Sequence, residues 1–367
     1  YVLFGSLLDR AGGGNYMMQV SFAMLGHLRG GPAKVAVVSS ALNGVVSGSS
    51  VANVVSGGIF TIPLMKRAGY GGVKAGAIET MASVNGQIMP PVMGAGAFLM
   101  TEYVGISYAE VVKHAILPAV LSYIGLFYIV HLEALKLDLR PMVSAGAKRP
   151  AADRLKAVGL GISGTVIVMC AVYYAILAAR LALGTSAAPA VAAIMAALYL
   201  LATWQAAKAP DLPQDIDIEN PVRPQTWPTV RAGLHFLIPI GVLIWLLMVD
   251  ESSPSLAAFW ACATLLVLMV TQHALISLFR SQDGQTADGL ARGVRDAFRG
   301  LENGARNMIS ISVATGTAGI IVGTITLTGL GFRMTDLVEL VSGGSMVMML
   351  LFTAFVCLVL GLGVPTT

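Results

Sequence analysis

The chain has 367 residues, of which 56% are hydrophobic and only 11% charged, with a formal net charge of +4. Several apolar runs approach the roughly 20 residues that a helix needs to cross a bilayer, so an integral, polytopic membrane protein is expected rather than a soluble domain. The basic residues are scattered through loops instead of clustered on a soluble module, which argues against nucleic acid as a partner.

Period-two alternation, which a transmembrane barrel requires, is absent, while Ala, Leu and Met dominate and 41 glycines suit close helix packing. The expected fold class is therefore all-α. Cys170, Cys262 and Cys357 lie in apolar runs without ligand spacing and read as packing residues. No Ser-His, His-Glu-x-x-His or paired-aspartate arrangement occurs within the spans, and His27, His114, His131, His235 and His273 lack a catalytic partner, so an intramembrane enzyme is disfavoured.

From the N-terminus, Asn15 to Arg29 reads as a short amphipathic helix. Residues 33–66 follow as an apolar stretch interrupted by Ser47-Gly48-Ser49-Ser50-Val51-Ala52-Asn53, and residues 70–104 are interrupted by Asn85-Gly86 and Pro90-Pro91. In lipid, backbone freed from a helix must be satisfied by protein, water or bound ions, so such breaks persist where they line a cavity or a site. The plainer alternatives are a small-residue helix interface at Ser47 to Asn53 and a proline kink at Pro90-Pro91. Two prolines after a glycine free several backbone groups together, which favours a true interruption. Glu79 is the one carboxylate placed well inside a span. Two readings stand side by side for it: a proton relay or tuner of an ion site, or a structural hydrogen-bonding role between the two broken segments. Lys74, five residues earlier, is too far round the helix to pair with it.

Further spans are expected at Ala115 to Val130, Val158 to Ala179, Ala188 to Thr203, Leu234 to Val249, Leu256 to Leu278 and Met308 to Leu327. Between the last two, Arg292, Arg295, Arg299, Glu302 and Arg306 recur at three-four spacing and read as a lipid-facing cytoplasmic surface. If residues 33–66 form a re-entrant hairpin, Lys34 and Lys66 lie on one side, and only Lys113, Arg180 and Arg333 of the basic residues fall outside. That is the bias the positive-inside rule requires. The last apolar segment, Met346 to Leu360, then enters from the opposite face, preceded by a second amphipathic stretch at Phe332 to Val341. Two hairpins entering from opposite faces are the mark of inverted-repeat transporters. The chain divides on this reading into a first repeat at 1–130, connecting and scaffold helices at 131–304, and the start of a second repeat at 305–367. It opens at Tyr1 within an apolar segment and stops at Val364-Pro365-Thr366-Thr367, as a portion of a longer chain would.

Ser47 to Asn53, Thr61-Ile62-Pro63-Leu64-Met65-Lys66, Gly76-Ala77-Ile78-Glu79 and Gly86-Gln87-Ile88-Met89-Pro90-Pro91-Val92-Met93-Gly94 together resemble the large membrane subunit of tripartite ATP-independent periplasmic (TRAP) transporters, of the type fused to its small subunit. Gly304-Ala305-Arg306-Asn307, Ala318 to Gly323 and Gly361-Leu362-Gly363-Val364-Pro365-Thr366-Thr367 are similar to the same type. The resemblance implies a bacterial inner-membrane, sodium-coupled elevator that takes up a small organic solute, a carboxylate, delivered by a periplasmic solute-binding protein. The small membrane subunit would be fused upstream. No cofactor is implied beyond sodium as coupling ion. Sodium is a hard cation suited to oxygen ligands, which points to Ser49, Ser50, Asn53, Gly86, Gly363 and Thr366 for the ion. Ser47, Gly48, Glu79, Asn85, Pro90, Pro91, Gly361 and Thr367 complete the expected ion and substrate site. A dicarboxylate or anion symporter of related architecture, working without a binding protein, is the alternative.

Overall fold

The computed structural model describes residues 1–139, 188–213, 223–280 and 286–361, with short helical pieces at 171, 173–178 and 181–182. All regular elements among these residues are helical. Most of the expected span Val158 to Ala179 lies outside them, apart from residues 171 and 173–178, and Cys170, Gly363, Thr366 and Thr367 lie outside as well.

Helix α1 (Val2–Ala11) ends at Gly12, whose φ of 103° suits a residue without a Cβ, and α2 (Gly13–Leu25) starts there at once. The joint separates two neighbourhoods. Of the later helices, α1 packs mainly on α11 (Pro254–Phe279) and α12 (Thr286–Leu327) and also touches α3 (Gly31–Ser47), whereas α2 packs chiefly on α3 and α9 (Thr226–Ala232). Asn15 to Arg29 thus takes in all of α2 but its first two residues, and Met17, Met18 and Phe22 are buried in the interior.

Helices α3 and α4 (Ser50–Arg67) fold back on one another about Gly48, and both pack on α5 (Gly72–Asn85). Lys34 and Lys66 therefore lie at the same end of the pair. Lys34 is buried, with Nζ 3.0 Å from Nδ1 of His131 and over the Phe127 ring, while Lys66 is exposed. After α5 come a single 3-10 turn (Gly86–Ile88), an irregular stretch to Gly94, and α6 (Ala95–Val104). Helix α7 (Tyr108–Lys136) closes this body: Tyr123, Leu126, Val130 and Ala134 pack with Ala36 and Val37 of α3 and Ala75 and Ala82 of α5. Lys74 pairs with Glu133 of α7.

A second core joins α1 to α10 (Leu237–Met248) and α11 through Phe4, Leu7, Ile240, Leu243, Ala261 and Leu265. It also takes in Val92, Met93, Tyr108 and Val112, so the irregular stretch after α5 lies between the two cores. Helix α8 (Ala188–Lys208) packs on α11. The expected span Leu234 to Val249 corresponds to the segment Leu234–Met248, which meets α9 at 51°. By length and composition three helices among the described residues, α7, α8 and α11, can cross a membrane, or four if α9 and the segment Leu234–Met248 are one bent span.

The arginines of the three-four pattern Arg292 to Arg306 are exposed and lie on α12, which runs unbroken for 42 residues through Met308 to Leu327. Its buried face is a stripe of small residues, Gly293, Ala297, Gly300 and Gly304, that lets α11 and α1 approach, while the arginines point away. Arg10 of α1 bonds Asp296 at 3.0 Å. The boundary placed after residue 304 falls inside this helix. Beyond it, α13 (Leu330–Ser342) takes up Phe332 to Val341, and α14 (Met346–Gly361) ends at Gly361. Leu337 and Val341 of the amphipathic stretch are exposed.

Candidate functional site

Two interruptions meet in the structure. The first is the α3–α4 turn. Gly48 adopts a left-handed φ of 59°, and a Cβ there would sit 2.3 Å from the carbonyl oxygen of Met93. Only glycine satisfies both the backbone and the contact. Ser49 follows in extended conformation and caps α4, its Oγ accepting from the Ala52 amide at 3.3 Å. Its hydroxyl is thus engaged in starting the helix, the role Ser has at an N-cap. Ser50 is buried one residue further on. Ser47 is the last residue of α3.

The second interruption follows Asn85. The Gly94 amide bonds back to the Gln87 carbonyl at 2.7 Å, closing residues 87–94 into a loop, and the Pro90–Pro91 peptide bond is cis. Tyr108, at the start of α7, directs its hydroxyl at the carbonyls of both Pro91 and Val92, 2.7 Å from each. The loop is thereby fastened to the helix behind it. Pro90 and Pro91 line an apolar crevice of about 250 Å³ together with Met89, Val112, Ile116, Val120, Ile244 and Met248. Their side chains belong to this apolar surface, not to an oxygen-rich site.

Oxygen donors gather one turn earlier. Gly44 of α3 and Gly86 are so close that a Cβ on Gly44 would lie 2.4 Å from the Gly86 Cα. Asn53 enters the same crossing from α4: it is 1% exposed, its Nδ2 donates to the Ser40 carbonyl at 3.0 Å, and a Cβ on Gly86 would be 3.2 Å from that nitrogen. The Oδ1 of Asn53 is buried and has no hydrogen-bond partner among the described residues. A buried acceptor left unpaired costs about 1–3 kcal/mol, so this oxygen fits a cation or an ordered water. The orphaned oxygen is the feature of this crossing that suits sodium. Asn85 is buried beside it on α5.

Glu79 lies on α5 two turns before Gly86 and is completely buried. Thr61 Oγ1 donates to its Oε2 at 2.5 Å and Ser40 Oγ to its Oε1 at 3.4 Å. Its side chain occupies the room left by Gly57 and Gly58, where an added Cβ would come within 3.1 Å of Oε1 and 3.3 Å of Cγ. Lys74 does not reach it, being engaged with Glu133. Of the sequence-derived site residues, the structure groups Gly48 with the loop after Gly86, and Asn53 with Gly86. Gly361 stands apart at the end of α14. Sequence reasoning missed Ser40, Gly44, Thr61 and Tyr108. The adjacent glycines Gly57-Gly58 on the helix facing Glu79 are the one local sign that something large packs there.

The family model of the tripartite ATP-independent periplasmic transporter, DctM component, matches residues 1–188 and 164–367 in two overlapping segments. The C4-dicarboxylate TRAP transporter large permease protein DctM of Pseudomonas aeruginosa is 25% identical over 263 residues, 71% of this chain and 57% of the relative. A putative TRAP transporter large permease protein of Haemophilus influenzae is 25% identical over 127 residues, 35% of this chain and 31% of the relative. The ectoine TRAP transporter large permease protein TeaC of Halomonas elongata is 32% identical over 94 residues, 26% of this chain and 22% of the relative. The matches to these relatives thus span between about a fifth and just over half of their length. With the whole chain matched and membrane-length apolar helices behind two helix interruptions, this protein belongs to the DctM family of TRAP transporter large membrane components.

Proposed function

We propose that the chain is the membrane permease part of a sodium-coupled secondary transporter in the bacterial inner membrane, which takes up a small organic carboxylate presented by a periplasmic solute-binding protein. The small membrane subunit completes the complex, fused upstream. The α3–α4 pair is a re-entrant hairpin, and with α5 and α6 it forms the mobile body of an elevator that moves against a scaffold containing α10 and α11. A second, inverted repeat beginning in α12 supplies the other half of the site through Gly361, Gly363, Thr366 and Thr367.

Asn53 carries the reading. A membrane protein gains nothing from a buried, unpartnered amide oxygen unless something binds it, and here it lies where three broken or ending helices converge. The amide supplies oxygen without placing a full negative charge in the membrane, and Ser50 and the backbone carbonyls around Gly86 are the further ligands. Sodium, when bound, supplies the positive charge that couples the ion gradient to the carried body. The residues of this chain hold it and exclude water by close packing at Gly44 and Gly86. For the solute, the relatives named for a C4-dicarboxylate and for ectoine support a small organic molecule.

The test is uptake by the complete transporter in proteoliposomes, with succinate and ectoine as probes and the cognate binding protein added or omitted. Uptake is expected only with the binding protein and an inward sodium gradient. Equal uptake in choline chloride refutes sodium coupling, and equal uptake without the binding protein favours a self-sufficient carrier.

A further inference from the structure

The hydrogen bonds of Glu79 lead directly to Asn53. Ser40 of α3 is the link: its hydroxyl donates to Oε1 of Glu79 at 3.4 Å, while its backbone carbonyl accepts from Nδ2 of Asn53 at 3.0 Å. Once Nδ2 is committed to that carbonyl, the amide cannot flip without losing the bond. Its Oδ1 is therefore turned to the side that has no partner among the described residues. On the other flank, Thr61 ties α4 to the same carboxylate at 2.5 Å. One side chain of α5 thus holds both legs of the α3–α4 pair, α3 at Ser40, which also bonds Asn53, and α4 at Thr61, about two turns beyond Asn53.

We propose that Glu79 is a positioning residue for the oxygen cluster at Asn53, acting through Ser40 and Thr61 to fix the relative register of α3, α4 and α5. The proposal rests on the sodium-site reading above and adds to it the residue that sets the site's geometry. A carboxylate suits this place because it offers two acceptor oxygens to two hydroxyl donors on two different helices. Among the described residues no basic side chain bonds to it, so it is not half of an ion pair. Glutamine keeps the length and can still bond both hydroxyls, since Ser and Thr can accept as well as donate. Alanine cannot. In the alanine variant Thr61 turns to the Gly57 carbonyl, already 3.1 Å away, so the helix keeps its hydrogen bond while the tie across helices is lost.

Outer ligands of this kind change ion affinity by roughly 10–100-fold when removed. The experiment measures radioactive sodium binding to the complete purified transporter, and its thermal stability in sodium chloride and in choline chloride. Expected are an apparent sodium affinity about tenfold weaker in Glu79→Ala, near wild type in Glu79→Gln, and intermediate in Ser40→Ala. Asn53→Ala should weaken binding at least as much, and Glu79→Ala added to Asn53→Ala should weaken it no further, because both act on one oxygen. Stability in choline alone reports the packing role, which a merely structural glutamate would affect without shifting sodium affinity. Unchanged affinity in Glu79→Ala, with loss in Asn53→Ala, overturns the positioning role while leaving the ion site standing. Unchanged affinity in Asn53→Ala overturns the ion site itself. Loss in Glu79→Gln equal to that in Glu79→Ala overturns positioning by hydrogen bonds, since charge would then be the active property. If Glu79→Ala does not fold, Ser40→Ala and Glu79→Gln decide the matter by the same comparison.

Discussion

Gly44→Ala is the sharpest perturbation of the helix crossing. The new methyl carbon would lie 2.4 Å from the Cα, 3.0 Å from the carbonyl carbon and 2.9 Å from the carbonyl oxygen of Gly86, where ordinary contact is 3.4–4 Å. All three are backbone atoms held by the 3-10 turn, so no side chain can swing aside, and α3 and α5 must separate by about 1 Å. Overpacking of this kind costs about 1–3 kcal/mol, against a gain of about 0.5–1 kcal/mol from replacing glycine in a helix interior. The overlap wins, and a net loss of about 1–2 kcal/mol is expected. Gly125, on α7, has nothing within 4 Å of its would-be Cβ, so Gly125→Ala should keep only the gain. Thermal unfolding of the purified protein in one detergent measures both. A Gly44→Ala protein as stable as wild type, or a Gly125→Ala protein as damaged as Gly44→Ala, would refute the close crossing.

Tyr108→Phe removes the hydroxyl that fastens Pro91 and Val92 to α7, and should cost about 1–2 kcal/mol in thermal stability; no change would mean the loop is held by packing alone. Cysteines at Leu28 and Arg67, in a background free of native cysteines, flank the α3–α4 pair and should both react with a membrane-impermeant reagent from the cytoplasm, whereas labelling from opposite faces would abolish the re-entrant hairpin. Glu133→Gln, which breaks the partly exposed pair with Lys74, should leave thermal stability nearly unchanged, and a clear loss would show that this pair is shielded from water.

The helix interruptions were legible because glycine and proline mark them locally. Gly48 and the stretch from Gly86 to Gly94 break an apolar pattern, and helices end at both. Glu79 stood out as a lone acid in apolar sequence, but its partners did not, since Ser40 and Thr61 are separated from it by 39 and 18 positions and carry no short-range signature. The same holds for Lys74, whose partner Glu133 lies 59 residues away. The proline pair shows the limit from the other side: proline breaks a helix wherever it occurs, and composition cannot say whether the side chains then face oxygen atoms or an apolar crevice. At Arg292 to Arg306 the arginines dominated the reading, although the glycines between them set the contact with α1 and α11. Small residues at helical spacing leave a hydropathy pattern unchanged, so an unbroken 42-residue helix was divided into two.

The most direct test of the account is a high-resolution structure of the complete transporter determined twice, in sodium chloride and in choline chloride. The account predicts density for an ion within bonding distance of Asn53 Oδ1, between α4 and Gly86, in sodium and its loss in choline. An Asn53 Oδ1 satisfied by a protein donor in both conditions, or a sodium ion held only by other residues, would contradict it.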